Sequence, residues 1–104
     1  MTRVLYEPKR FHLRIDGHAG SAPKGEDLVC AGVSALAFAL LQAMTDFDGS
    51  EAVVEEEDGI IDVRCDPAPY EVIACEAVMD AFAGGLSLLA SEYPQYVKYE
   101  ERSD

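Results

Sequence analysis

The sequence predicts a two-layer α/β domain of the α+β type, ordered β-α-β-β-α, with a small mixed sheet and two main helices on one face. Three observations predict it. Strict apolar–polar alternation from Phe11 to Asp16 reads as a half-buried strand. Two apolar stretches with helical spacing follow, one from Leu28 to Met44 and one from Val72 to Leu89. Between them, two β-rich runs flank Asp58-Gly59, a hairpin signal because a type I′ turn needs positive φ at both central residues. Each element has one apolar face to bury, and two packed layers bury them all.

Val4 to Tyr6 is extended, and Glu7-Pro8-Lys9-Arg10 interrupts it. In the next strand Phe11, Leu13 and Ile15 point one way and Arg14 and Asp16 the other. His12 goes with the second set, on the outer and solvated face. Gly17 to Gly25, with Gly20 and Pro23 inside it, is expected to be a mobile loop. The first helix starts at Glu26 or Asp27, where acidic side chains suit the dipole and the free N–H groups. It runs to about Met44. Val29, Val33, Leu36, Phe38, Leu40 and Leu41 spread around most of its circumference, so it is central and packed on more than one side. Asp46 to Ser50 turns. The hairpin strands are Ala52–Glu57 and Ile60–Cys65, with Glu55 to Asp58 at a solvated tip. Pro67 to Tyr70 connects to the second helix, whose buried face holds Val72, Cys75, Val78, Met79 and Phe82. Gly84-Gly85 loosens or bends it, Leu86, Leu88 and Leu89 continue its face, and Pro94 ends it. Tyr96 to Asp104 is a charged, aromatic tail.

Composition bounds the function. The 104 residues form a single domain, 1–104, with one modest core. With 49% hydrophobic and 27% charged residues the chain is not disordered. Eight Lys and Arg against twenty Asp and Glu give a net charge of −12. That opposes direct binding to nucleic acid or an anionic membrane and steers basic partners toward the surface. Solubility alone is the plainer explanation of the same charge. Leu28–Met44 is rich in Ala and interrupted by Ser34 and Gln42, so it reads as a buried helix and not a membrane span. Met1 to Tyr6 has no apolar h-region, so a cytoplasmic location is expected. Three cysteines there make no disulfide framework, and His12 and His18 complete no zinc spacing. No metal or cofactor is expected.

The chemistry concentrates in one stretch. His18 ends a strand and Cys30 lies about three residues into the first helix, joined by a glycine-rich loop. A thiol attacks as the thiolate, which both a helix N-terminus and an imidazole favour. Lys24 adds a nearby cation. Asp27 at i−3 and Ser34 at i+4 share a helix face with Cys30. Asp27 suits orienting His18 or capping the helix, and Ser34 suits hydrogen bonding near the thiol or the reacting carbonyl. On spacing alone, Cys30 also reads as a buried structural cysteine and Ser34 as a small packing residue. Gly17 and Gly20 are ordinary turn residues, or they let the loop close over a substrate. Cys65 and Cys75 read as packing residues.

The residues carry more than the spacing. Gly17-His18-Ala19-Gly20, then Gly25-Glu26-Asp27-Leu28-Val29-Cys30-Ala31 and Val33-Ser34-Ala35-Leu36, closely resemble the signature of the bacterial ribosomal-processing cysteine protease family, Prp. Phe82, Gly85-Leu86, Leu89-Ala90 and Tyr93-Pro94 extend the resemblance along nearly the whole chain. Leu28 and Gly32 are mild variations, and Gly32 costs helix 1 up to about 1 kcal/mol against Ala. The resemblance implies a Cys-His dyad of Cys30 and His18, with Asp27 and Ser34 in support. It implies a substrate loop that includes Gly17, Ala19, Gly20, Lys24 and Gly25. It implies removal of the N-terminal extension of large-subunit ribosomal protein twenty-seven, cut after an aromatic and before a small residue, and it implies a homodimer. Two other readings compete with it. One is a non-enzymatic acidic module that shields a basic ribosomal protein. The other is a thiol sensor at Cys30, which needs a resolving thiol nearby.

Overall fold

The computed structural model describes residues 1–17, 24–55 and 59–103, and for residues 24–27 the backbone alone. Two strands open the chain, β1 (Thr2–Glu7) and β2 (His12–Asp16), and helix α1 (Lys24–Met44) follows. Strands β3 (Ser50–Glu55) and β4 (Ile60–Cys65), helix α2 (Val72–Glu92) and strand β5 (Val97–Glu101) complete it. The sheet order is β3-β4-β2-β1-β5. β5 pairs parallel with β1 and every other neighbour is antiparallel. The α+β class with a mixed sheet and two main helices stands, with a richer strand content than the sequence order implied.

The connections explain why both helices share a face. β2 and β3 are parallel but separated by β4, and α1 crosses between them. β4 and β5 are parallel but separated by β2 and β1, and α2 crosses between them. The second crossover steps in the opposite direction along the sheet from strands that also point the opposite way. Two crossovers of the same hand then fall on one side. Cross-strand rows form the floor beneath them. Val4, Ile15, Ile61 and Val54 make one row, and Tyr6, Leu13, Val63 and Ala52 the next. Leu13, Val63, Leu40, Met79 and Leu86 are the fully buried centre of the core. The helices meet closely. A Cβ built on Gly85 would lie 3.3 Å from Leu36, and one on Gly32 would lie 3.5 Å from Leu89. Gly32, which weakens the helix by itself, therefore sits where α1 and α2 approach each other, and the approach offsets its low propensity.

Several expectations are corrected. The tail is not a tail: Val97–Glu101 is β5, and Val97 is buried. The Thr2 N–H donates to the Tyr96 carbonyl and the Arg102 N–H to that of Tyr6, so the strand is held at both ends. α1 begins at Lys24, two residues before the first acidic signal and directly after Pro23 in the sequence. α2 runs unbroken through Gly84-Gly85, because Gly85 packs beneath Leu36 instead of loosening the helix. Phe38 and Leu88 were expected in the core and are exposed. The 24 residues Pro69–Glu92 match a membrane span in length and composition. In the fold this segment lies along the sheet, burying Cys75, Met79, Ala83 and Leu86.

His12 lies on the outer sheet face, as its register demands, but it is not solvated: it is 5% exposed. Its Nδ1 is 2.7 Å from Glu7 Oε1 and its Nε2 is 3.1 Å from both oxygens of Asp62. Arg14 donates to Asp62 at 2.9 Å and Arg64 at 3.3 Å. The hydrogen bond to His12 leads in holding the Glu7 carboxyl below its ordinary value, against desolvation. For Asp62, burial pushes the carboxyl up, but hydrogen bonds from His12 and Arg14 together outweigh it and hold the group below its ordinary 3.8. A carboxylate favoured only in the folded chain stabilises it above the ordinary value, and that contribution goes as pH falls through the lower folded value. Urea midpoints of wild type and Asp62→Asn should therefore differ most above pH 3.8 and converge below it. A gap independent of pH would show that the network contributes packing alone.

Candidate active site

Cys30 is the seventh residue of α1, half-buried at the surface of the helix. It is deeper in the helix than the sequence placed it, because α1 starts at Lys24. Its Cα–Cβ bond still leans back toward the N-terminal turn, as every helical side chain does. A helix's first-turn N–H groups have no partner within the helix and carry partial positive charge, and that end of α1 is the one toward which the thiol leans.

Beside this helix lies a cleft of about 300 Å³. Its floor is the sheet row Ile15, Ile61 and Val54, its helix wall is Val33, Ser34, Ala37 and Phe38, and Gly17, Glu55, Gly59 and Ile60 close its end. Ser34 is exposed and lies one turn beyond Cys30. Cys30, Ser34 and Phe38 recur at i, i+4 and i+8 and so form one stripe along the helix. The cleft thus lies on the flank of α1 that also carries Cys30, one turn before Ser34.

Gly17 shows why the chain leaves β2 as it does. Its φ is +148°, and a Cβ there would lie 2.6 Å from both the Met1 carbonyl oxygen and the Thr2 Cα. Only glycine fits both constraints. Its N–H donates to the Gly59 carbonyl at 3.1 Å, extending the β2–β4 ladder by one rung. This rung pins the residue that precedes His18 at the end of the cleft.

The expected site residues divide accordingly. Cys30 and Ser34 share one flank, and Gly17 borders the same cleft. His18, Ala19 and Gly20 lie outside the described residues. Lys24, Gly25 and Asp27 stand in the first turn of α1, with their side chains outside the description. Phe38, Val54, Ile61 and Gly59 were missed as site residues. The four-residue spacing of Cys30, Ser34 and Phe38 was the available signal for the first of them. The others come from strands that only the folded sheet brings near α1.

Cys65 and Cys75 are packing residues on different elements, β4 and α2, and both are buried. Burial leads in pushing both upward, Cys75 to about 12. Neither is positioned to resolve a sulfenic acid at Cys30, because both are buried in the core. Among the described residues no cluster of His, Cys, Asp or Glu suits a metal ion. Iodoacetamide on the native protein at pH 8 should therefore add once, at Cys30, and three times in denaturant, read by intact mass. Modification of Cys65 or Cys75 in the native chain would contradict their burial.

The comparisons with known proteins agree on the fold. A sequence model of the family described as cysteine protease Prp matches residues 2–98. Among solved structures, SMU.848 from Streptococcus mutans superposes with a TM-score of 0.77 at 24% identity, covering 99% of this chain and 93% of that one. The essential ribosomal processing protease Prp from Staphylococcus aureus, in complex with a substrate peptide, superposes with a TM-score of 0.75 at 17% identity and 97% coverage of both chains. The same enzyme with a covalently linked product peptide gives 0.73 at 18%, with 97% coverage of both chains. No curated protein sequence matches.

Proposed function

The chain belongs to the cysteine protease Prp family, and from that premise we propose that it removes the N-terminal extension of large-subunit ribosomal protein twenty-seven, using Cys30 as nucleophile and His18 as its base. The observation that carries this reading is the cleft. It is bordered by Ser34, one turn from Cys30, and by Gly17, the chain neighbour of His18. The Staphylococcus aureus protease of the same fold takes a substrate peptide, which supports a peptide here.

The chemistry is acyl transfer. His18 takes the Cys30 proton, and the thiolate sulfur bonds to the scissile carbonyl carbon as its π electrons move to oxygen. First-turn N–H groups of α1 stabilise that oxyanion. The carbon–nitrogen bond breaks as His18 returns the proton to the leaving amine. Water, deprotonated by His18, then releases the acyl group and regenerates the thiol. Asp27 orients His18, and Ser34 hydrogen-bonds beside the carbonyl. The apolar floor of Ile15, Val54 and Ile61 accepts the apolar side chains next to the cut. The net charge of −12 draws a basic ribosomal protein toward the cleft.

A peptide spanning the extension junction, analysed by mass spectrometry, tests this. Wild type should cut once, after the aromatic residue, and Cys30→Ser should be slower by at least about 10³-fold. Raised salt should lower kcat/KM through association. An intact peptide with both proteins, while Cys30 still reacts with a thiol probe, would favour the acidic module that shields its partner.

The homodimer is proposed to form through α2. Ile73, Ala77, Ala81, Gly84 and Leu88 make an exposed, uncharged stripe on a chain of net charge −12. Sedimentation should show a dimer that Ile73→Glu with Leu88→Glu converts to a monomer. A dimer that survives both changes places the contact elsewhere.

A further inference from the structure

β3 is a bare edge. It pairs with β4 on one side and is the end strand of the sheet on the other. Glu51 to Glu55 are all exposed, Val53 by 55% and Val54 by 44%. Proteins normally blunt such an edge with charged side chains, Pro, a bulge or a cover, and β3 has only the charges of Glu51 and Glu55. β3 contains no Lys and no Pro, and its register with β4 is unbroken over six consecutive pairs. The other edge strand, β5, carries Lys98, and its Val97 is buried. This edge, guarded by carboxylates alone, is the one that borders the cleft.

The ladder shows which backbone groups are free to pair. The Cys65 N–H donates to the Phe11 carbonyl, so Cys65, Val63 and Ile61 turn their backbone groups toward β2. Arg64, Asp62 and Ile60 then turn toward β3, where they bond with Glu51, Val53 and Glu55. Ala52 and Val54 are left with N–H and C=O pointing outward. Both side chains lie on the inner face, and Val54 lines the cleft opposite Phe38.

We infer that a basic peptide substrate docks as an added strand on β3, pairing with the backbone of Ala52 and Val54 and placing alternate side chains into the cleft between Val54 and Phe38. This rests on the protease reading above and specifies how that site holds its substrate. Pairing of this kind takes its affinity from main-chain hydrogen bonds and its specificity from every second side chain. Charge selects the occupant. A second copy paired antiparallel about Val53 would set Glu51 opposite Glu55, which repels. A basic peptide meets the same two carboxylates as partners. Phe38, misplaced in the core by its sequence pattern, becomes a specificity-determining residue.

Proline at position 54 removes an outward N–H that β4 does not use, and edge strands tolerate it there. Val54→Pro should raise KM for the junction peptide at least tenfold while the rate of Cys30 alkylation, which needs no peptide, stays near wild type. Val54→Ala, which keeps the N–H, should lose less. Should Val54→Pro fail to fold, peptides N-methylated at one amide at a time supply the reading: cleavage should fall at every second position. Binding of the same peptides to Cys30→Ser, followed by fluorescence anisotropy, separates docking from chemistry. Alternation in binding without any cleavage by wild type would sink the protease reading and leave the docking mode standing. A wild-type KM in folded Val54→Pro, methylation tolerated at every position, or a dimer turned monomer by Val54→Pro would overturn the docking mode.

Discussion

The close crossing of α1 and α2 sets the geometry of everything else. Gly85 under Leu36 and Gly32 against Leu89 let the two helices approach until side chain meets backbone. Two helices side by side span about 20 Å, while five strands span about 24 Å. The tight crossing draws α1 toward α2, so the width left over falls at the far edge. There β3 lies bare and the inner row Ile15, Ile61 and Val54 runs out from under α1 as the floor of a cleft. The cleft is thus a consequence of packing two helices on a sheet slightly too wide for them. Ser34 and Phe38 border it because they lie on the side of α1 turned away from α2, and the helical repeat puts Cys30 on that same flank.

Charge and burial divide the titratable groups by task. On the outer sheet face, Glu7, His12, Asp62, Arg14 and Arg64 satisfy one another and allow an imidazole to be almost fully covered without a helix above it. Such a network is sound only when every member is paired, and no buried side-chain nitrogen or oxygen among the described residues lacks a partner. On the inner face, Tyr6 reaches Asp80 and ties β1 to α2. The two core thiols are held protonated by desolvation, whereas Cys30 stands half-buried on the helix surface. The three cysteines of one chain therefore differ in environment, two in the core and one at the surface.

Local patterns were legible wherever the physics is local. The alternation of β2, the strands flanking Asp58-Gly59 and the two helical periods each depend on near neighbours, and each read correctly as an element, while the run from Gly17 to Leu36 was legible as the family's motif. Long-range pairing was not legible. Val97–Glu101 has charged residues at alternate positions and looks like a tail until β1 supplies a parallel partner ninety-five residues away. His12 looks solvated until Glu7 and Asp62 arrive from β1 and β4. Phe38 carries the helical period of a core residue, but it lies on the flank of α1 turned away from α2 and is exposed.

What the sequence by itself determined is the chemistry and its spacing: a thiol four residues before a serine on one helix flank, a histidine just beyond a strand end, and an acidic surface suited to basic partners. These follow from residue identity and the helical repeat, which need no tertiary context. The tertiary structure alone decided where that chemistry has room to act. The order β3-β4-β2-β1-β5 and the Gly85–Leu36 contact place the uncovered edge beside Cys30's helix. Sheet order and helix crossing are settled by contacts distant in sequence, and no local pattern encodes them.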